Sequence, residues 1–187
     1  MKRVFLGGIM MACFCLMACG SGGKKEQQAV EQTVKTEQKR SFQLPEVPVM
    51  LNTPELRLAY VVEHYWDHFD FRDTAYIHLP DITEQASVDY MDLLQRVPQD
   101  EALNSLGILM GKASVEPKMS KYFWELLSRY WHDPNSPMKN EEMFILLCKG
   151  VEQTSQVGEF LMARAAYFRK MAERTAQGCL QPILHIL

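Results

Sequence analysis

The sequence has few of the features that redox, nucleotide or nucleic-acid chemistry requires. It contains five cysteines, and neither Cys148 nor Cys179 belongs to a Cys-x-x-Cys pair, so it has no redox centre of that type. It contains no Gly-x-Ser-x-Gly motif, phosphate-binding loop or dinucleotide fingerprint. The 20 Lys and Arg residues are outnumbered by 23 Asp and Glu, a net charge of −3. This balance argues against a nucleic-acid-binding surface.

The longest apolar run is also too short to cross a membrane. The segment Val4–Met17 has 14 residues, whereas a spanning helix needs about 20. The run follows Lys2 and Arg3, as in a secretory signal, and it closes on Leu16-Met17-Ala18-Cys19, which resembles a bacterial lipobox. We therefore predict a leader over residues 1–18 and a lipid on Cys19. The alternative is an ordinary secretory signal that is cleaved elsewhere.

The residues after Cys19 predict where the anchored protein lies. Gly20 stands where an Asp would resemble the inner-membrane retention signal, and Lys24 and Lys25 stand where surface-displayed lipoproteins tend to carry acidic residues. We expect an outer-membrane lipoprotein that faces the periplasm and is held by its lipid, which anchors strongly once two or more chains are attached.

The mature chain divides into a tether, a domain and a tail. Removing 18 residues from the 187-residue chain leaves 169, enough for one domain with its own core. Residues 19–44 are rich in Gln, Lys and Glu and predict a flexible tether. We assign residues 45–178 to a helical domain and residues 179–187 to an apolar tail, for which one interpretation is the stub of a missing domain.

Helix signals dominate the domain. The helix start and stop signals are Thr53-Pro54, the capping-box-like pair Asp81 and Glu84, Pro98, Pro117, Asn140 and Gly178. The first helix is expected to carry its apolar face through Phe69. The sixth, from about Gly158 to Gln177, shows four large apolar side chains: Phe160, Tyr167, Phe168 and Met171. Short links between six such segments predict an all-α single bundle. Gly107 and Gly111, four residues apart, indicate close packing of two helices.

A polar and aromatic cluster over residues 64–73 is the densest candidate for chemistry. His64 and His68 are four residues apart and would share one helical face, with Asp67 or Asp70 as a third metal ligand. The alternative is structural, with the aromatic residues in the core, His64 hydrogen-bonded and the acidic residues capping a turn. The spacing fixes no third ligand.

Two other features bear on modification and cross-linking. Asp73-Thr74-Ala75 resembles the three-residue O-glycosylation signal of exported Bacteroidota proteins, with Thr74 as acceptor; the alternative is an ordinary turn. Cys148 and Cys179 could form a disulfide in an oxidising periplasm, but their expected heights on neighbouring helices differ, and buried free thiols are the alternative.

Several segments, taken in order, resemble a known family. They are His64-Tyr65-Trp66, Phe69-Asp70-Phe71, Glu84-Gln85-Ala86, Asp133-Pro134-Asn135-Ser136-Pro137 and Asn140-Glu141-Glu142. Over about Phe42 to Gln181 the chain is similar to a helical domain of unknown function found in Bacteroidota lipoproteins. In that family the domain commonly precedes a thioredoxin-like domain of the TlpA/ResA kind, which this sequence lacks. No catalytic residue carries over from the helical part.

These observations lead to three hypotheses. The first is an anchored, non-catalytic helical module that works with a thioredoxin-like partner or domain and needs no cofactor. Its partner-binding tail would include Ile183, Leu184, Ile186 and Leu187. The second is a metal-dependent enzyme built on His64, His68 and Asp70. The third is a thiol oxidoreductase that uses Cys148 and Cys179.

Overall fold

The computed structural model describes residues 40–154 and 156–184, with side chains through residue 174. Within these ranges the protein consists of six α-helices and one 3₁₀ helix and contains no strand, which confirms the all-α bundle. The elements are α1 (Pro54–His64), the 3₁₀ helix (Thr74–His78), α2 (Pro80–Leu94), α3 (Gln99–Ala113), α4 (Pro117–His132), α5 (Glu141–Gln153) and α6 (Glu159–Leu184). The predicted leader, Cys19 and most of the tether lie outside the described residues.

Local capping signals correctly placed the starts of three helices. The Thr53 hydroxyl accepts a hydrogen bond from the Leu56 N–H at 3.3 Å, and the Asn140 side chain accepts one from the Met143 N–H at 3.1 Å. Pro54 and Pro117 occupy the first positions of α1 and α4. These contacts satisfy N–H groups that have no partner within the helix.

The expected capping box of α2 is wrong. The helix begins at Pro80 after Leu79, without a side-chain cap among the described residues. The Glu84 carboxylate instead accepts hydrogen bonds from Arg129 at 2.9 Å and from the Tyr130 hydroxyl at 2.7 Å. Glu84 thus connects α2 to α4, a role that only the packing of the two helices creates.

The first helix ends earlier than its apolar pattern indicated. It stops at His64, and residues 65–68 form turns. In a continued helix, Phe71 would lie about 200° around the axis from Phe69 and could not share its buried face. The turns bury both rings, with centroids 4.8 Å apart, and Tyr65 and Trp66 are buried beside them. The structural interpretation of these aromatic residues is therefore confirmed.

Phe42 extends the packed part of the chain toward the N-terminus. The sequence placed it in the tether, yet its ring lies 4.9 Å from that of Tyr65 and 5.3 Å from that of Trp66, between centroids. The packed region consequently begins before Pro45, where the predicted domain began.

A buried hydrogen-bond network joins three helices. The Ser105 hydroxyl of α3 donates to the Val62 carbonyl in the last turn of α1 at 2.7 Å, and the Tyr90 hydroxyl of α2 lies 2.6 Å from the Ser105 oxygen. Since the Ser105 proton is directed at Val62, Tyr90 donates to Ser105. All three residues are at most 2% exposed, so the network satisfies polar groups that water cannot reach.

Helices α3 and α5 pack closely against each other at their glycines. A Cβ atom on Gly150 would lie 3.1 Å from the backbone nitrogen of Gly107, and one on Gly111 would lie 3.6 Å from the Thr154 methyl group. The predicted close packing at Gly107 and Gly111 is confirmed. Gly150, the glycine with the least space, was not predicted.

The last helix is longer than predicted. It continues through Gly178 to Leu184, since a glycine inside a helix costs only about 1 kcal/mol and is no obligatory stop. The predicted tail over residues 179–187 therefore begins within α6; its side chains, including Ile183 and Leu184, and all of Ile186 and Leu187 lie outside the described part. Of the four predicted apolar side chains, Phe168 packs against the core, whereas the other three are exposed. Within the described ranges, no helix has the length and apolar character needed to cross a membrane.

Candidate functional site

The predicted metal ligands are not brought together. His64 is the last residue of α1, and His68 lies beyond it in the turns, so the shared helical face on which the pairing depended is absent from this segment. His68 and Asp70 are both exposed. The Asp70 carboxylate accepts a hydrogen bond from the Arg72 N–H at 3.0 Å. Across the described residues, no three His, Cys, Asp or Glu side chains form a group that could hold a metal ion.

His64 instead belongs to a surface ion-pair cluster centred on Asp67. Its Nδ1 atom lies 2.7 Å from one Asp67 carboxylate oxygen, and the Lys112 ammonium of α3 donates to the other. Partial burial raises the pKa of Asp67, but the hydrogen bonds from Lys112 and His64 outweigh it and hold the pKa below its usual range. The cluster joins the end of α1 to α3 and has the character of a structural ion pair.

Thr74, the predicted glycosylation acceptor, begins the 3₁₀ helix and is half-buried. The Asp73 carboxylate accepts a hydrogen bond from the Ala75 N–H at 3.1 Å. The segment therefore forms a capped turn, as the alternative interpretation expected. Modification of Thr74 stays a prediction.

Cys148 is a buried free thiol on α5. Burial, assisted by the charge of Glu152, raises the pKa of Cys148 to about 12. A thiol with this pKa is almost entirely protonated at neutral pH and is a poor nucleophile. The side chain of Cys179 lies outside the described residues.

A groove lies between α4 and α6, and two cavities form it. One part is a cavity of about 530 Å³ near the end of α4 and the start of α5. A second cavity of about 280 Å³ lies near the starts of α4 and α6. Trp124, Glu125 and Arg164 line both cavities, so they form one groove, which we call the α4–α6 groove.

The floor of this groove is aromatic. The Trp124 ring lies 6.4 Å from the Phe168 ring, and the Phe144 ring lies 5.7 Å from Phe168, between centroids. His132 stacks on Phe144 at 4.2 Å with an interplanar angle of 13°. The Arg164 guanidinium lies over the Phe168 ring, 5.8 Å from its centroid. An apolar floor with a few charged groups at its margin is typical of a binding groove.

The sequence of α6 contains only a partial signal for this groove. Phe160, Arg164 and Tyr167 follow helical spacing on one side of α6, whereas Leu161, Ala165 and Phe168 follow it on another. Both sides contain large apolar side chains, so the pattern does not tell which side is buried. The structure buries the second side against the core and exposes the first.

Comparison with known proteins shows which family the chain belongs to. A family model described as "Domain of unknown function (DUF5106)" matches residues 18–175. A thioredoxin-like protein from Bacteroides caccae ATCC 43185, solved by crystallography, is 37% identical to this chain and superposes with a TM-score of 0.64. That match covers 72% of this chain and 48% of the other, so this chain spans about half the length of that protein. The search of curated proteins gave no match. Since the family model covers most of the sequence, the chain belongs to the DUF5106 family.

Proposed function

We propose that this chain is a non-catalytic helical module that works with a thioredoxin-like polypeptide, either a separate protein or a further domain. The observation that carries the proposal is the match to the Bacteroides caccae protein. It pairs 37% identity with coverage of only 48% of that protein. Similarity over about half of a thioredoxin-like protein is expected of a helical module whose relative also contains a separate thioredoxin-like half.

The properties of Cys148 support the idea that the reactive thiols belong to a partner. Cys148 is buried, and its raised pKa keeps it protonated at neutral pH. A thiol that is almost entirely protonated attacks a disulfide slowly. The module would therefore position or bind the reactive protein, and the reactive thiols would belong to that protein.

The leader supports a place in the cell envelope. The apolar run over residues 4–17 ends in the lipobox-like Leu16–Cys19 segment. Processing at this segment would cleave off residues 1–18 and attach lipid to Cys19. We further propose that this lipid holds the module on the periplasmic face of the outer membrane.

The intact mass of the native protein, extracted from membranes, tests the anchor. We expect the chain from Cys19 onward with added acyl mass, and we expect a Cys19→Ala variant to lose that mass and leave the membrane fraction. A native protein that begins elsewhere and carries no acyl group would contradict the anchor.

Cross-linking of the native protein in intact cells, followed by peptide mass spectrometry, tests the partner. We expect cross-links to a thioredoxin-like polypeptide, and a species that contains both parts on one chain would equally support the proposal. Cross-links that consistently exclude any thioredoxin-like polypeptide would contradict it.

A further inference from the structure

We propose that the exposed side of α6, together with the α4–α6 groove, is the surface on which the thioredoxin-like polypeptide docks, and that the docking segment of that polypeptide is apolar and carries carboxylates. This inference rests on the proposed function and adds the binding surface and the chemistry that it recognises.

The first argument is the unusual exposure of aromatic residues on α6. Phe160 is 80% exposed and Tyr167 is 61% exposed, and they lie two helical turns apart on the same side of the helix. Isolated exposed apolar residues are common, but a row of large ones beside a groove is typical of a protein interaction site. Tyr and Phe are also residue types that interfaces favour.

The second argument is the charge of the same side. Arg164, Lys170 and Arg174 are exposed, and none of them forms an ion pair with a carboxylate among the described residues. Arg169, in contrast, is held by Glu152 at 2.9 Å and by Glu173 at 3.0 Å. The chain as a whole has a net charge of −3, so this basic row is a local feature. The groove itself contains carboxylates, Glu125 in both cavities and Asp133 and Glu141 in the larger one. It is therefore opposite the basic row of α6 that charge complementarity predicts carboxylates on the bound surface.

The third argument is the shape of the surface. Phe160 and Arg164 line the 280 Å³ cavity, and Arg164 and Phe168 line the 530 Å³ cavity. Concave spaces over an aromatic floor can receive side chains of a polypeptide segment.

The charge also argues against a second copy of this chain as the occupant. In a symmetric pair of α6 helices, the same patch faces itself, and the cations Arg164, Lys170 and Arg174 of one copy would face those of the other. Juxtaposed like charges disfavour association. The acidic and apolar polypeptide therefore fits this surface better than the chain itself does.

The test is site-specific photo-cross-linking in cells with the full-length protein. A photoreactive phenylalanine analogue replaces Phe160 or Tyr167 in separate variants. The matched control carries the analogue at Leu56, which is 51% exposed on α1. We expect both α6 variants, and not the Leu56 variant, to form adducts with a thioredoxin-like polypeptide, with the adducted peptide containing Asp or Glu beside apolar residues.

A charge reversal tests the electrostatic part of the inference. In the Tyr167 photo-variant, we expect Arg164→Glu to lower the yield of that adduct about tenfold, the effect of about 1.4 kcal/mol of binding free energy. Arg57→Glu makes the same charge change on the exposed surface of α1 and serves as control; we expect it to leave the yield unchanged. Circular dichroism of the two variants checks that both remain folded.

The other outcomes contradict the docking surface in distinguishable ways. Adducts with lipid from the α6 positions would identify a membrane surface, and adducts with a second copy would identify a self-association surface. A thioredoxin-like adduct from Leu56 but not from α6 would leave the proposed function intact and refute this surface. Absence of thioredoxin-like adducts from all three positions, with the polypeptide also absent from general cross-links, would refute both.

Discussion

Gly150 lies so close to Gly107 that a Cβ atom on Gly150 would be 3.1 Å from the Gly107 backbone nitrogen. The next nearest atoms, the carbonyl carbon and Cβ of Leu106, would be 3.2 Å away. These contacts are with backbone or with an atom fixed to it, so the neighbour cannot move aside cheaply. The α3–α5 contact therefore depends on the missing side chain of Gly150.

We predict that Gly150→Ala lowers the free energy of unfolding by about 1–2 kcal/mol, because overpacking outweighs the gain in helix propensity. Gly107→Ala is the matched control, since its Cβ would meet only the Gln153 side-chain oxygen at 3.6 Å and the Gly150 carbonyl at 3.9 Å. We expect the control to be neutral or stabilising. Urea denaturation measures the free energy of unfolding of both variants. Equal destabilisation would contradict the inference that Gly150 has less space than Gly107.

The Tyr90–Ser105–Val62 network predicts a non-additive pair of substitutions. Ser105→Ala removes the acceptor of the buried Tyr90 hydroxyl and the donor to the Val62 carbonyl, so we expect a loss of about 1–3 kcal/mol in the free energy of unfolding. Tyr90→Phe removes one hydrogen bond and should cost about 1 kcal/mol.

The double variant Tyr90→Phe with Ser105→Ala should cost less than the sum of the two single variants, because it leaves no unpaired Tyr90 hydroxyl. Chemical denaturation of the four proteins completes the double-mutant cycle. Strict additivity would show that the two hydroxyls are not energetically coupled.

The raised pKa of Cys148 predicts a loss of stability at alkaline pH. Its thiol has an ordinary pKa of about 9.0 when unfolded and a pKa of about 12 when buried, so above pH 9 the unfolded chain binds fewer protons than the folded one. The free energy of unfolding therefore falls as pH rises across this window.

Between pH 9 and pH 10 the thiol should account for about 1 kcal/mol of this fall. The Cys148→Ala variant should lack this part while keeping the contribution of Tyr65 and Tyr90, whose pKa values burial also raises. Guanidinium denaturation at pH 8, 9 and 10, under reducing conditions, compares the two proteins. If the free energy of unfolding falls with pH equally in the two proteins, the folded thiol has an ordinary pKa and the prediction is wrong.

The arrangement at His64 predicts no specific response to zinc. Its Nδ1 atom is paired with Asp67, and His68 is displaced from the helix, so we expect an unchanged melting temperature when Zn²⁺ is added. A site that binds zinc would stabilise the fold by about 2.7 kcal/mol at a hundredfold excess over its dissociation constant. Such a shift, lost in His64→Ala but kept in the control His78→Ala, would restore the metal hypothesis.

Sequence-based prediction succeeded for interactions between residues close together in the chain and failed for interactions between distant ones. The caps at Thr53 and Asn140 were predictable because the two groups of each hydrogen bond lie three residues apart. Glu84 was assigned to a cap because its sequence context fits one, yet its partners lie 45 and 46 residues away on α4. Likewise, the candidate groove involves α4 and α6, and no local pattern tells which side of α6 faces the other helices.

The sequence by itself determined the helical elements, most of their starting points and the small residues at the close helix contact, and it predicts a lipid on Cys19. These follow from backbone hydrogen bonding, side-chain volume and a short recognition motif, all of which act over a few residues. The tertiary structure alone decided where α1 ends, what Glu84 binds, why Gly150 must be small and which side of α6 is exposed. Each of these depends on competition for buried space between segments far apart in the chain.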